Sequence, residues 1–192
     1  MIKITLDGSG SLRLLETQVK GFSAKMNSRV ASSINRTARS TRDYMIHQVS
    51  SKFNISKRNA NKKKVFFQSK KAKASDLSAQ VRLKESKKLG VQMFGPKHTG
   101  SGVTFALLKG GSRELIPKAF MGPRAGKRAP KLNGGVFIRQ EGAKRLPINK
   151  LYAMSPWGMY RSGKMQLPTY RHAERLMNEH INKSLNQLAK TL

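Results

Sequence analysis

Apolar residues recur every four positions from Phe22 onward, at Phe22, Met26, Val30, Ile34 and Ala38, and after one step of three at Thr41, Met45, Val49 and Phe53. Steps of four drift about 40° round a helix that turns ~100° per residue. The step of three pulls the stripe back, so the spacing predicts one long helix whose centre packs on a single surface. Its polar side carries Lys25, Arg29, Arg36, Arg39 and Arg42 against Asp43, and neither Gly nor Pro interrupts it. Before it, Ile2, Ile4 and Leu6 alternate with polar residues and predict a short strand, closed by the turn Asp7-Gly8-Ser9-Gly10. Ser11 is placed to cap a further helix through Leu12, Leu14, Leu15 and Val19, with Gly21 as a pause.

Beyond the long helix the period changes to two. Asn54-Ile55-Ser56 ends the helix, and Ser56 can cap a short basic one running from Lys57 toward Lys64. Val65-Phe66-Phe67 opens a strand, and Lys70 to Asp76 reads as the loop after it. Leu77, Ala79, Val81 and Leu83 alternate with polar residues, as a half-buried strand does. Further alternating sets are Leu89/Val91/Met93 and Val103/Phe105/Leu107, with Lys97 to Gly102 between them as a turn. Leu115 to Met121 is interrupted by Pro117, which argues for an edge or a break. Gly134-Gly135 launches Val136 to Arg139, and Gln140 to Lys144 turns toward Leu146-Pro147-Ile148. Tyr152 to Lys164 reads as irregular, and from Pro168 a last helix presents Tyr170, Ala173, Met177, Ile181, Leu185 and Leu188 on its apolar side. On that helix Glu179 and Lys183 are ordered for an i,i+4 pair.

The predicted class is therefore α+β in one domain spanning residues 1–192. An N-terminal strand and long helix (1–54) lead into a central antiparallel sheet of about four to six strands with long basic loops (55–152), joined by turns rather than crossovers. An irregular segment and the C-terminal amphipathic helix (153–192) complete it.

Charge changes the picture more than any other property. Thirty-nine Lys and Arg face nine Asp and Glu, a formal net charge of +30, while 38% hydrophobic residues leave a lean core. A surface that repels itself this strongly points to polyanionic or acidic partners. The basic clusters are Lys62/Lys63/Lys64, Lys70/Lys71/Lys73, Arg124/Lys127/Arg128/Lys131 and the helix row Arg29/Arg36/Arg39/Arg42. The first three are the candidate contacts to nucleic acid or a partner. The connector Met121 to Asn133, which holds no carboxylate, is the leading arm among them. Such residues neutralise phosphates without reading bases. Phe66, Phe67, Phe105 and Phe137 sit in strand patterns, so core packing is the better reading than base stacking.

Little in the sequence points to catalysis. Its carboxylates are spread thinly, with no P-loop, dinucleotide fingerprint or nucleophile elbow, and GPRAGKRAP lacks the spacing of a phosphate loop. There is no cysteine, and His47, His98, His172 and His180 are scattered, so no catalytic, metal or cofactor site is expected. A basic nuclease using His98 or Glu114 remains the minor alternative. No stretch approaches the roughly 20 apolar residues of a membrane span, and the N-terminus has no signal-type apolar run. The expected place of action is the compartment of synthesis, or an assembly built there.

Several blocks in series carry a resemblance. INRTARSTRDYMIHQV and NISKRNANKK are followed by GGSRELIPKAFMG, GGVFIRQ and KRLPINKLYAMSP. In that order they resemble the minor tail protein Z family of long-tailed phages and prophages, over roughly Ala31 to Trp157. The most specific part is the series from Lys109 to Tyr152. The chain departs from the family at Ala153-Met154-Ser155-Pro156, where a Gly-Pro-Ser turn is usual. The resemblance implies a structural tail-completion protein at the head-proximal end of the tail. It further implies a homo-oligomeric ring, six-fold to match the tail, beside tail-tube or terminator and head-completion proteins. Double-stranded genome DNA would be met through its backbone, in the virion and in the host cytoplasm during assembly. The competing class is a free, sequence-independent nucleic-acid-binding protein of ribosomal or nucleoid type.

Overall fold

The computed structural model describes residues 2–7, 24–61, 64–85, 87–123, 132, 134–142 and 146–189. The elements in order are β1 (Ile2–Asp7), α1 (Ala24–Lys52), α2 (Lys57–Ala60), β2 (Phe66–Lys70), β3 (Ser78–Leu83), β4 (Lys97–Thr99), β5 (Gly102–Phe105) and β6 (Glu114–Pro117). After them come β7 (Phe120–Met121), β8 (Val136–Arg139), β9 (Ile148–Lys150), α3 (Pro156–Ser162) and α4 (Gln166–Ala189). The class is α+β, as the pattern predicts. Strand pairing is antiparallel throughout the described residues, but it is distributed over three small sheets of three strands rather than one central sheet.

Two compact units form from interleaved segments. The first takes Met1–Ile46, Lys63–Glu85 and Lys164–Leu192. Its sheet has the order β1-β3-β2, with Ile2 opposite Leu83 and Leu6 opposite Ala79 on one side of β3, and Phe66 opposite Leu83 on the other. Ala79, Val81 and Leu83 are buried, the face that the alternation marks out. Val30, Ile34, Ala38, Thr41 and Met45 of α1 are fully buried, in the predicted stripe. Leaving water stabilises each large apolar side chain by roughly 1.5–3 kcal/mol.

Helices α1 and α4 run antiparallel in this unit. Ser33 meets Ser184, Thr37 meets His180, and the Tyr44 ring stacks on His172 with centroids 3.9 Å apart. Each advance along α1 is matched by a retreat of nearly equal length along α4. Ala173, Met177 and Ile181 are buried as expected, whereas Tyr170 is exposed. It precedes the buried positions and projects off the packed stripe. Among the described residues, the ion pairs are Arg42–Asp43 and Lys70–Asp76, and Glu179–Lys183 is not one of them.

The second unit takes His47–Lys62 and Ser86–Gly163. Its sheets have the orders β4-β5-β6 and β7-β8-β9. The core gathers Phe53, Val91, Phe94, Val103, Val136 and Tyr160. Asn54 ties the segment after α1 to this core, with its N–H on the Leu107 carbonyl at 2.9 Å and its side-chain amide on the Phe94 carbonyl at 3.1 Å. Ser56 caps α2 as predicted, accepting from the Asn59 N–H at 3.2 Å.

Several local expectations are corrected in this unit. Val91–Met93 is a single 3-10 turn and not a strand, because three residues between Gly90 and Gly95-Pro96 are too few for period to decide. Lys97–Thr99 is strand β4, hidden from pattern reading because an exposed edge strand needs no apolar alternation. Pro156–Ser162 forms helix α3 inside the segment read as irregular, capped by Ser155, which accepts from the Gly158 N–H at 3.1 Å. Helix α4 begins at Gln166, two residues ahead of Pro168. Pro168 thus sits within the first turn, where its missing N–H costs nothing. Pro117 does end its strand: β6 stops there, and Lys118 turns the chain at φ 58°. The proposed helix from Ser11 lies outside the described residues. No described helix is long and apolar enough to cross a membrane.

Candidate nucleic-acid interface

Helix α1 presents a polar face opposite its buried stripe. Arg29, Ser32, Arg36 and Arg39 fall within about 80° of arc at 3.6 residues per turn, and Ser32, Arg36 and Arg39 are exposed. Two cavities open along this face in the first unit. One, of about 500 Å³, lies against α4 and is lined by Arg29, Ser32, Ser33 and Arg36 from α1. From α4 come His180, Lys183, Ser184 and Gln187. The other, of about 420 Å³, lies against the segment after β2, with Ser32, Asn35 and Arg39 meeting Gln68, Lys71 and Lys73. Ser32 lines both. No carboxylate lines either one among the described residues.

Hydrogen bonds hold the walls. The Asn35 side chain donates to the Ala72 carbonyl at 2.9 Å, and its oxygen accepts from the Ala72 N–H and from Gln68 Nε2, both at 2.9 Å. Both backbone groups of Ala72 are thereby pinned to α1, which fixes the backbone that carries Lys71 and Lys73. On the opposite wall, Ser33 Oγ lies 2.6 Å from Ser184 Oγ and 3.3 Å from the His180 carbonyl. Thr37 Oγ1 lies 3.1 Å from the Ser33 carbonyl and 2.9 Å from His180 Nδ1.

Burial pushes the His180 pKa below its ordinary value, and Arg36 and Lys183 push in the same direction against Glu179. The imidazole is therefore neutral near pH 7. His172 is lowered likewise, by burial first and then by Arg175.

The sequence-predicted contacts fare unequally. Lys71 and Lys73 are exposed and line the second cavity. Lys70 is spent locally, 2.5 Å from Asp76 Oδ2 and 2.7 Å from Ser78 Oγ. That bond is the largest influence holding the Asp76 carboxyl below its usual range. Lys64 is exposed in a left-handed turn with φ 51°, and neither cavity includes it. Lys62, Lys63, Arg124, Lys127, Arg128 and Lys131 lie outside the described residues. Of the helix row, Arg42 turns away to Asp43 at 2.7 Å, while Arg29, Arg36 and Arg39 stay on the groove. Lys183 and His180 were not among the predicted contacts. Nothing local marks them, since they join α1 only through the helix pairing.

The minor nuclease candidates are not brought together. His98 on β4 faces Val103, Glu114 on β6 faces Phe105, and strand β5 separates them. Compared with known proteins, the chain matches no protein-family model, no curated protein and no solved structure.

Proposed function

We propose that this chain is a structural protein of the phage virion, a tail-completion subunit at the head-proximal end of the tail. It joins tail to head and meets the genome end through backbone contacts, as one copy in a ring matched to six-fold tail symmetry. Its neighbours are tail-tube or terminator proteins and head-completion proteins. The virion part of this reading rests on the serial blocks from Lys109 to Tyr152. The nucleic-acid part is carried by one observation, the carboxylate-free basic groove along α1. A ring of chains at +30 each also needs polyanion or acidic neighbours to close. The role is structural rather than enzymatic.

The test is addition of the purified chain to heads and to tails assembled without it. Restored head–tail joining, with a discrete ring on gel filtration in high salt, is the expected result. A monomer that binds duplex DNA and ignores tails overturns the proposal in favour of a ribosomal- or nucleoid-type binding protein. Nucleic-acid cleavage abolished by His98→Ala or Glu114→Ala overturns it in favour of a nuclease.

A further inference from the structure

We propose that the cavity between α1 and α4 is a phosphate site, built by Arg29, Arg36 and Lys183 with the hydroxyl of Ser32, that seats the sugar–phosphate backbone of duplex DNA. The inference rests on the nucleic-acid-facing reading above and adds the place and the contacts. Three permanent cations share the wall of one cavity of about 500 Å³ without a carboxylate among them. Like charges gathered in a recess raise its potential well above that of dispersed surface lysines. An anion between them removes that repulsion. Arginine suits the task because its planar fork meets phosphate oxygens in pairs.

Hydrogen bonds between the helices hold the wall in place. Ser33, buried, bonds Ser184 and the His180 carbonyl, so the α4 side of the cavity is fixed to α1 before anything binds. Ser32 is exposed and continues the surface into the second cavity, where Arg39, Lys71 and Lys73 follow. Arg29 to Arg39 spans ten residues, about 15 Å of helix at 1.5 Å each. That length matches roughly four phosphates of one strand at ~3.4 Å of duplex axis per nucleotide.

The lining also selects among polyanions. Among the described residues the first cavity is lined by Arg, Ser, His, Lys and Gln, with no aliphatic side chain and one aromatic ring, the His180 imidazole, held at Nδ1 by Thr37. An acidic protein partner would bring apolar surface that finds no counterpart here, since protein interfaces are about half apolar. Single strands are gripped by stacking successive bases on several aromatic side chains, and among the described residues the two cavities together offer only the His180 ring. What remains is a charged, hydroxyl-rich backbone read without its bases.

The test is fluorescence anisotropy of the full chain with a mixed-sequence duplex across a salt series. Arg36→Glu and Lys183→Glu are compared with Lys57→Glu and Lys97→Glu, exposed cations that line neither cavity. Circular dichroism confirms that each variant is folded, and Arg36→Lys serves as the conservative partner should the glutamate variant fail to fold. Each groove reversal is expected to weaken binding about tenfold or more and to reduce the salt slope by about 1 or more. The controls are expected to change affinity less than about threefold, and Arg36→Lys to lie between wild type and Arg36→Glu. Equal losses in groove and control variants overturn the site, as does polyglutamate competing as well as duplex DNA. Tail docking is scored on the same preparations. Docking without duplex binding sinks the phosphate site alone, and duplex binding through the groove without docking sinks the tail reading alone.

Discussion

Thr37 Oγ1 lies 2.9 Å from His180 Nδ1, and both residues belong to helices that pass each other antiparallel. The hydroxyl's single proton is directed to the Ser33 carbonyl at 3.1 Å. It therefore accepts from the imidazole, which puts the ring proton on Nδ1. Nε2 is left as an acceptor in the neutral ring and becomes a donor only when His180 takes a second proton.

Replacing Thr37 by Val keeps the shape of this fully buried side chain and removes the hydroxyl. His180 Nδ1–H then loses its acceptor. Stability is expected to fall by about 1 kcal/mol, the usual cost of such a loss where the ring keeps some water. The urea midpoint of Thr37→Val measures it, with Thr37→Ser, which retains the hydroxyl, losing less. Equal midpoints for Val and wild type would show that the bond contributes nothing.

Stability is expected to decline as pH falls. His180 and His172 both have folded-state pKa values below the ordinary 6.5 of the unfolded chain. The unfolded state therefore binds protons first on acidification. The contribution of the neutral rings is complete above about pH 6.5 and is lost as pH drops toward the folded-state values. Around His180 the facing groups are Arg36 and Thr37 on α1 and Glu179 and Lys183 on α4. Denaturation midpoints between about pH 8 and pH 5 should fall for wild type and fall less steeply in His180→Asn, where His172 alone contributes. Duplex binding should move the other way, strengthening on acidification, because each proton taken up by His180 adds a positive charge beside the phosphate site.

Asn35 separates folding from binding in the second cavity. Asn35→Ala deprives both backbone groups of Ala72 of their side-chain partner. A loss of about 1–3 kcal/mol is expected in chemical denaturation. Asn35→Asp retains the acceptor for the Ala72 and Gln68 donors but places a carboxylate among Arg39, Lys71 and Lys73. Its duplex affinity should drop more than its stability does. A variant that loses stability while binding normally would remove this cavity from the interface.

Gly102 is required by a close approach in the second unit. It pairs with Pro117 at φ 154°, and an added Cβ would overlap the Ile116 carbonyl oxygen of the neighbouring strand. The obstacle is backbone and cannot swing aside. Gly102→Ala is expected to lose at least about 2 kcal/mol, read from thermal or urea unfolding. A variant as stable as wild type would mean that β5 and β6 can separate at that end without cost.

Much of the fold was legible in the sequence wherever a single element supplied the whole signal. The four-residue recurrence from Val30 to Ala38 and on to Val49 marks residues that are fully buried, because helical geometry alone sets which side chains share a face. The alternation of Ala79, Val81 and Leu83 did the same for β3. Elements without such a signal escaped. Strand β4 is held by its neighbour rather than by its own apolar pattern, and α3 is too short to establish a period.

The candidate site divides along the same line. Sequence by itself determined the net charge, the row of arginines on one side of α1, and the lysines after β2, since spacing and composition are local properties. It could not determine which of these cations stay available. Arg42 is taken by its neighbour in the chain, Asp43, whereas Lys70 reaches Asp76 only once the connection between β2 and β3 folds back. Only the antiparallel passage of α4 brings Lys183 and His180 to Arg29 and Arg36 from about 150 residues away in the chain. A pocket of like charge is a property of two surfaces meeting, and no single stretch of sequence contains both.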